Sequence, residues 1–244
     1  MTPLSYILSS LLLLILSAAL LRLLYILPAI NRIRPPPRRR GTPTHLLIVL
    51  GSGGHTAEML SLLSNHEFSP SVYTHRSYVV GSGDGFSAGR AEEFEQNFMA
   101  EKVTGKIGYT IHTVPRAREI HQSLLSTPFT CLHCLYACFC LILFHPKGYP
   151  DLILINGPAT SLIVVLASII LRYFAFVPFF SPILSHDKPQ GNMRTIYIES
   201  WARVKKPSLT GRLIVWCGLC NRVLVQWKGL EERGWGEYRG VLVT

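Results

Sequence analysis

The stretch HLLIVLGSGGHT, residues 45–56, decides the fold. From His45 to Leu50 the chain is apolar without alternation, as a strand buried on both faces should be. Gly51, Ser52, Gly53 and Gly54 end that run, and Ala57–Leu63 beyond them has helical spacing. A strand, a glycine turn and a helix in succession let the backbone turn sharply and approach a ligand. The free N–H groups at the helix start then favour an anion such as a diphosphate. The turn is not a phosphate-binding Walker loop, because no Gly-Lys-Ser/Thr follows, and it is not G-x-G-x-x-G, because Thr56 takes the last glycine's place. The acid that would hold a ribose about 20 residues on is also missing from Ser71–Val80. No Tyr has a Lys four residues later, which disfavours a dehydrogenase of the Tyr-x-x-x-Lys kind. A turn of this composition that binds nothing remains the plain alternative.

Outward from this unit the pattern repeats. Strands are predicted at Ser71–Val80, Ile107–Val114, Asp151–Asn156, Thr195–Glu199 and Arg222–Trp227. Helices are predicted at Ala91–Ala100, Ser123–Phe144, Ser161–Tyr173 and Leu209–Gly218, with a glycine-rich loop at Gly81–Gly89. Strands alternating with helices predict the α/β class, a Rossmann-like parallel sheet with helices on both faces.

Composition adds a membrane. Of 244 residues, 16% are charged, 48% are hydrophobic, and the mean hydropathy is +0.29. That excludes a disordered chain, and a soluble enzyme would carry nearer ~25% charged residues. Leu4–Leu21 is apolar apart from four serines, and the run continues past Arg22 to Leu27, long enough to span a bilayer as a helix. No acid precedes Glu58, whereas Arg32, Arg34, Arg38, Arg39 and Arg40 crowd the region after the apolar run. The positive-inside rule therefore puts everything from Arg32 onward in the cytosol and favours an anchor over a cleaved signal. Arg22 would snorkel toward the headgroups. The expected organisation is a transmembrane anchor at 1–30, a stiff basic proline-rich linker at 31–43 and a cytosolic domain at 44–244. The net charge of +10 owes five arginines to this membrane-side segment, and no nucleic-acid motif accompanies it.

The six cysteines include two C-x-x-C spacings, Cys131/Cys134 and Cys217/Cys220. Zinc is the sharper reading, but Cys131, Cys134, Cys138 and Cys140 lie in an apolar stretch where Cys behaves as a small hydrophobe. Gly85-Phe86-Ser87-Ala88-Gly89 fits a hydrolase nucleophile elbow, whose triad would draw on Asp151 and His186, but no strand runs straight into it. More promising are residues that follow predicted strands, where open parallel sheets bind ligands: Arg116 and Arg118, Asn156 and Gly157, and Glu199 with Arg203.

With these blocks in view, the chain resembles a known family. The blocks are GSGGHT, VPRAREIHQS, NGP, IYIESWARV, SLTG and VLVQW, spread over nearly all of 44–244. The family is the membrane-anchoring subunit of the two-chain transferase that adds the second N-acetylglucosamine to dolichol-diphosphate-GlcNAc at the endoplasmic reticulum. The resemblance implies the N-terminal half of a split GT-B glycosyltransferase, inactive alone. A cytosolic catalytic subunit would bind UDP-GlcNAc, and this chain would bind the lipid-linked GlcNAc-diphosphate-dolichol acceptor. It implies no cofactor and no metal. Carried onto this sequence, it places Gly51, Ser52, Gly53, Gly54 and Thr56 at the acceptor diphosphate with Arg116, Arg118, Asn156, Gly157 and Arg203. His55 and Glu199 become the candidate catalytic residues, and Val241, Leu242, Val243 and Thr244 the partner contact. The chain departs from the family at Ala159, Asn221 and Lys228, where Gly, Asp and Pro are usual. Two alternatives stand beside this reading. One is a self-sufficient membrane-anchored transferase or hydrolase working through His55 or Ser87, and the other is a pure tethering adaptor. Activity of this chain without a partner would favour the first, and a soluble partner that works without this domain once tethered artificially to the membrane would favour the second.

Overall fold

The computed structural model describes residues 3–30, 44–65, 73–99, 108–119, 122–123, 125–157, 159–175 and 191–243. The linker at 31–43, His186 and Thr244 lie outside them. In chain order the elements are α1 (Pro3–Ile26), β1 (His45–Val49), α2 (Gly54–Asn65), β2 (His75–Gly81), α3 (Gly85–Phe94), β3 (Gly108–Val114), α4 (Thr127–Leu143), β4 (Leu152–Asn156), α5 (Ala159–Phe174), β5 (Arg194–Ile198), α6 (Leu209–Trp216), β6 (Arg222–Val225) and β7 (Glu237–Tyr238). The strands form one seven-stranded sheet in the order β3-β2-β1-β4-β5-β6-β7, and every pairing is parallel.

The two-faced burial expected of β1 is present. Leu46, Ile48 and Leu50 pack with Met59 and Leu63 of α2 and Ala91 of α3. Leu47 and Val49 pack on the opposite face with Cys138 and Ile142 of α4 and Val165 of α5. The α2 and α3 face also holds a buried ion pair: Arg76 donates to both oxygens of Glu95 at 2.6 and 2.5 Å, and Tyr78 donates to the same carboxylate at 2.6 Å. Glu95 opens a short π-helical turn, Glu95–Met99, that extends α3. The expected loop at Gly81–Gly89 is shorter than the glycines suggest. Asp84 caps α3 by accepting from the Ser87 amide, so the helix starts at Gly85. A helical turn at Lys228–Glu231 and strand β7 close the far edge, and neither carries the length or period that sequence patterns register.

α1 is 24 residues long, about 36 Å at 1.5 Å per residue, and is the one described helix long and apolar enough to cross a membrane. Such a helix fits an N-terminal membrane anchor. Its last turns are fixed to the domain by reciprocal caps. Arg22 donates to the Tyr173 carbonyl at the end of α5, at 2.7 Å from Nε and 2.5 Å from Nη2, with its guanidinium over the Tyr173 ring. Arg172 donates to the Ile26 carbonyl at the end of α1 at 2.9 Å. Each arginine thus sits where a helix dipole is negative. Arg22 is engaged by protein rather than reaching for headgroups.

A histidine cluster lies at the N-terminal ends of β1 and β2, beneath α4. Nε2 of His45 and Nε2 of His145 both meet Ser77 Oγ, at 2.8 and 3.0 Å. His75 and His112 both approach Thr110 Oγ1, and their rings lie beside His145. Burial, then the neighbouring His145, His75 and His112, push the His45 pKa down to about 3 against an opposing bond from Gly148. Burial, then Lys147, Arg76 and His112, push His75 down to about 4, opposed by Glu95. Both values lie below the unfolded value of 6.5, so the unfolded chain takes up protons first as pH falls. The stability these neutral rings contribute is therefore complete above pH 6.5 and is lost as pH falls toward 4. We predict a flat unfolding temperature above about pH 6.5 and a falling one below it, with His45 costing up to about 1.4 kcal/mol per pH unit. Thermal unfolding of the detergent-held chain checks this; an unchanged slope in His45→Asn would assign the effect elsewhere.

Candidate functional site

Strand order fixes where a ligand can bind. β1 is bonded to β4, yet the helix after β1 packs on one face of the sheet and the helix after β4 on the other. The chain therefore parts above the C-terminal ends of β1 and β4, and the crevice so formed is where open α/β sheets bind ligands.

The glycine turn after β1 forms one side. Gly53 has φ +63°, a left-handed conformation that favours glycine, and a side chain placed on Gly53 or Gly54 would meet no atom within 4 Å. The loop thus opens onto free space, with the first amides of α2 lacking helical acceptors by geometry. Behind it, Thr56 Oγ1 donates to the Gly51 carbonyl and contacts Ser87 Oγ at 2.7 Å, and Ser87 Oγ reaches Asp84 at 2.7 Å. Ser87 is fully buried, and its hydroxyl braces the glycine turn. That overturns the nucleophile-elbow reading. Asp151, offered as its triad acid, accepts from the His45 amide at the opposite end of the sheet.

The other side comes from β4 and β5. Gly157 has φ +96°, and a Cβ there would lie 2.9 Å from His55 Cγ, so the His55 ring rests on bare backbone. His55 is about one-third exposed, with Nδ1 turned to Glu58 Oε2 at 3.6 Å. Glu58 joins all three strand ends: its Oε2 accepts from Asn156 Nδ2 at 2.9 Å and its Oε1 from Ser200 Oγ at 2.7 Å. Burial raises its pKa, but His55, Asn156 and Ser200 outweigh burial and hold the carboxyl below its ordinary value. Sequence reasoning missed Glu58, because nothing local distinguishes one acid on an amphipathic helix.

The remaining expected residues separate. Arg116 is half-buried and lies along Gly81, with no hydrogen-bond or ion-pair partner among the described residues. Arg118 is exposed and donates to the Gln122 carbonyl. Arg203 is exposed at the rim beyond Ser200. Glu199 is 2% exposed and anchors a corner: its Oε2 accepts from the amide and hydroxyl of Ser208, the N-cap of α6, at 2.9 and 3.1 Å. Its Oε1 accepts from the Ser200 amide at 3.2 Å. Near the C-terminus, Val241 is exposed whereas Leu242 is buried in the α2-side core.

For a metal, the described residues offer His45, His75 and His145, whose ligand atoms lie within 4.8 Å of one another. The His45 and His145 rings are stacked 4.3 Å apart, and the point on which their Nε2 atoms converge is already held by the Ser77 hydroxyl, at 2.8 and 3.0 Å. No carboxylate joins them in that group. The geometry suits a neutral hydrogen-bonded network better than an ion. The six cysteines are free thiols.

The family described as "Oligosaccharide biosynthesis protein Alg14 like" matches residues 46–242. The chain is 38% identical over 229 residues to the Aspergillus fumigatus protein named UDP-N-acetylglucosamine transferase subunit alg14, covering 76% of this chain and 100% of that one. It is 34% identical over 226 residues to the Schizosaccharomyces pombe protein of the same name, covering 92% and 95%. To the Homo sapiens subunit it is 35% identical over 190 residues, covering 77% of each. Among solved structures it is similar to Acinetobacter baumannii MurG at 11% identity and a TM-score of 0.48, spanning 75% of this chain and 41% of that one.

Two variants separate structure from chemistry here. Glu199→Ala strands the Ser208 donors in a buried corner, and we predict a loss of about 3 kcal/mol in unfolding free energy. Gly157→Ala meets both a left-handed backbone and the His55 ring, and a loss of about 1–3 kcal/mol is expected. Denaturant unfolding reads both; Glu199→Ala with wild-type stability would return that carboxylate to the list of free catalytic groups.

Proposed function

Because the chain belongs to the Alg14-like family of oligosaccharide-biosynthesis proteins, we propose that it is the membrane-anchored, acceptor-binding subunit of a UDP-N-acetylglucosamine transferase. It recruits a soluble catalytic subunit to the cytosolic face of the endoplasmic reticulum membrane. Residues 1–30 act as the anchor, 31–43 as the linker and 44–244 as the N-terminal half of a GT-B enzyme. The acceptor is a lipid-linked GlcNAc-diphosphate.

The observation that carries this reading is the crevice over β1 and β4, with an open glycine turn and a one-third-exposed imidazole on one wall. The helix N-terminus and Arg116, which has no hydrogen-bond or ion-pair partner among the described residues, suit a diphosphate. His55 suits an acceptor sugar hydroxyl. In the transfer, the hydroxyl oxygen bonds to the anomeric carbon of the donor GlcNAc as the bond to UDP breaks and its electron pair leaves on the diphosphate. The hydroxyl proton passes to Nε2 of His55. The donor nucleotide and its leaving diphosphate fall to the partner subunit, whose docking surface includes the exposed Val241. The buried carboxylate of Glu199 holds the α6 corner against this crevice and does not touch the acceptor. Arg203 lies at the rim facing the partner, and Arg118 supports the turn that carries Arg116.

The test is GlcNAc transfer from UDP-GlcNAc to a GlcNAc-diphosphate-lipid, with this chain in detergent, alone and with the soluble subunit. We expect turnover only with both chains, and a fall of about 10²–10⁴-fold in kcat for His55→Ala in the complex. Transfer by this chain alone, or full turnover without His55, would overturn the respective assignment.

A further inference from the structure

We infer that Glu58 is the positioning residue of this site, holding Asn156 and Ser200 and orienting His55 through Nδ1 so that Nε2 is presented to the acceptor. The inference rests on the proposed transfer for its kinetic consequence and on geometry alone for the orientation. Glu58 lies one helical turn after His55, so the two side chains share a face of α2. Its carboxylate takes one bond from the end of β4 and one from the end of β5, at 2.9 and 2.7 Å. Those two bonds fix its own rotamer. A carboxylate that is ionised only accepts, so the nitrogen facing it is the one that carries hydrogen.

Two buried polar atoms around Glu58 lack hydrogen-bond partners: Nδ1 of His55 and Oδ1 of Asn156. Native proteins rarely leave such atoms unsatisfied, and those that remain call for a cause. Nδ1 stands only 3.6 Å from Glu58 Oε2. A shift of about half an ångström turns that contact into a charge-assisted hydrogen bond, and such bonds are often long in free enzymes and tighten with substrate bound. Gly157 closes the other side of the ring and blocks retreat in that direction. With Nδ1–H held by Glu58, the Nε2 lone pair faces the crevice. When Nε2 takes the acceptor proton, the fixed negative charge stabilises the imidazolium that forms.

The test uses the full chain in detergent with its soluble partner subunit. Nitrogen-15 shifts of the His55 ring, assigned by their loss in His55→Gln, should show the neutral ring protonated on Nδ1 and should move toward the Nε2–H form in Glu58→Ala. A wild-type ring protonated on Nε2, or an unchanged tautomer in Glu58→Ala, would overturn the inference. In transfer assays Glu58→Ala should lower kcat by about 10²-fold with KM within about threefold, and Glu58→Asp should restore part of it. Glu58→Gln covers the case in which Ala disrupts the corner. It keeps the shape without the charge, so kcat falls about tenfold and the acid limb of the pH–rate profile moves to lower pH. Wild-type turnover and pH profile in Glu58→Gln would count against Glu58. If the wild-type complex transfers nothing, the proposed function fails while the tautomer measurement still decides the role of Glu58.

Discussion

The pairing of β1 with β4 is the constraint on which the molecule depends. Both strands are buried on both faces, so their interiors are apolar and their polar side chains, His45 and Asn156, stand at their ends. Their following helices must leave to opposite sides, α2 to one core and α5 to the other. Chemistry is thereby pushed off the strands and onto the few residues just past their ends. Gly51–Thr56, Asn156–Gly157 and Glu199–Ser200 occupy those places.

Two polar networks keep these ends from collapsing into the gap. Thr56, Ser87 and Asp84 brace the glycine turn from behind. Glu58 draws Asn156 and Ser200 toward α2 from the front, and Glu199 ties Ser200 to the start of α6. Both networks join groups that would be costly to bury singly, and only His55 Nδ1 and Asn156 Oδ1 beside Glu58 are left without a hydrogen bond. The turn itself therefore needs no bulky side chain for rigidity and can remain bare glycine.

What the sequence revealed depended on whether its signal was local. β1, its glycine turn and the end of β4 were legible, because unbroken apolar runs and glycines mark such strands within a few residues. The start of α3 was not, since glycines at 81, 83 and 85 signal a loop while a single aspartate, Asp84, sets the cap. Glu58 was invisible for a stronger reason: its partners lie 98 and 142 residues away in the chain. The same holds for Arg76 and Glu95, whose pairing requires β2 and the end of α3 to be already in place. Glu199 carried a motif signal, yet the motif could not tell a carboxylate facing solvent from one enclosed by Ser208 and Ser200.

The exchange of caps between Arg22 and Arg172 has a consequence for how the domain meets molecules in the bilayer. A domain joined to its anchor only by a flexible connector would swing through a hemisphere and would have to find a lipid headgroup in three dimensions. Here the last turn of the anchor and the last turn of α5 terminate on each other's side chains, which makes a hinge at that junction expensive. The domain turns with its helix like a flag on a pole. The lipid-linked acceptor proposed for this chain would then reach the crevice at constant height, by lateral diffusion and rotation about a single axis. The encounter rate in such a system is set by membrane viscosity and surface density, and it is insensitive to the volume of solution above.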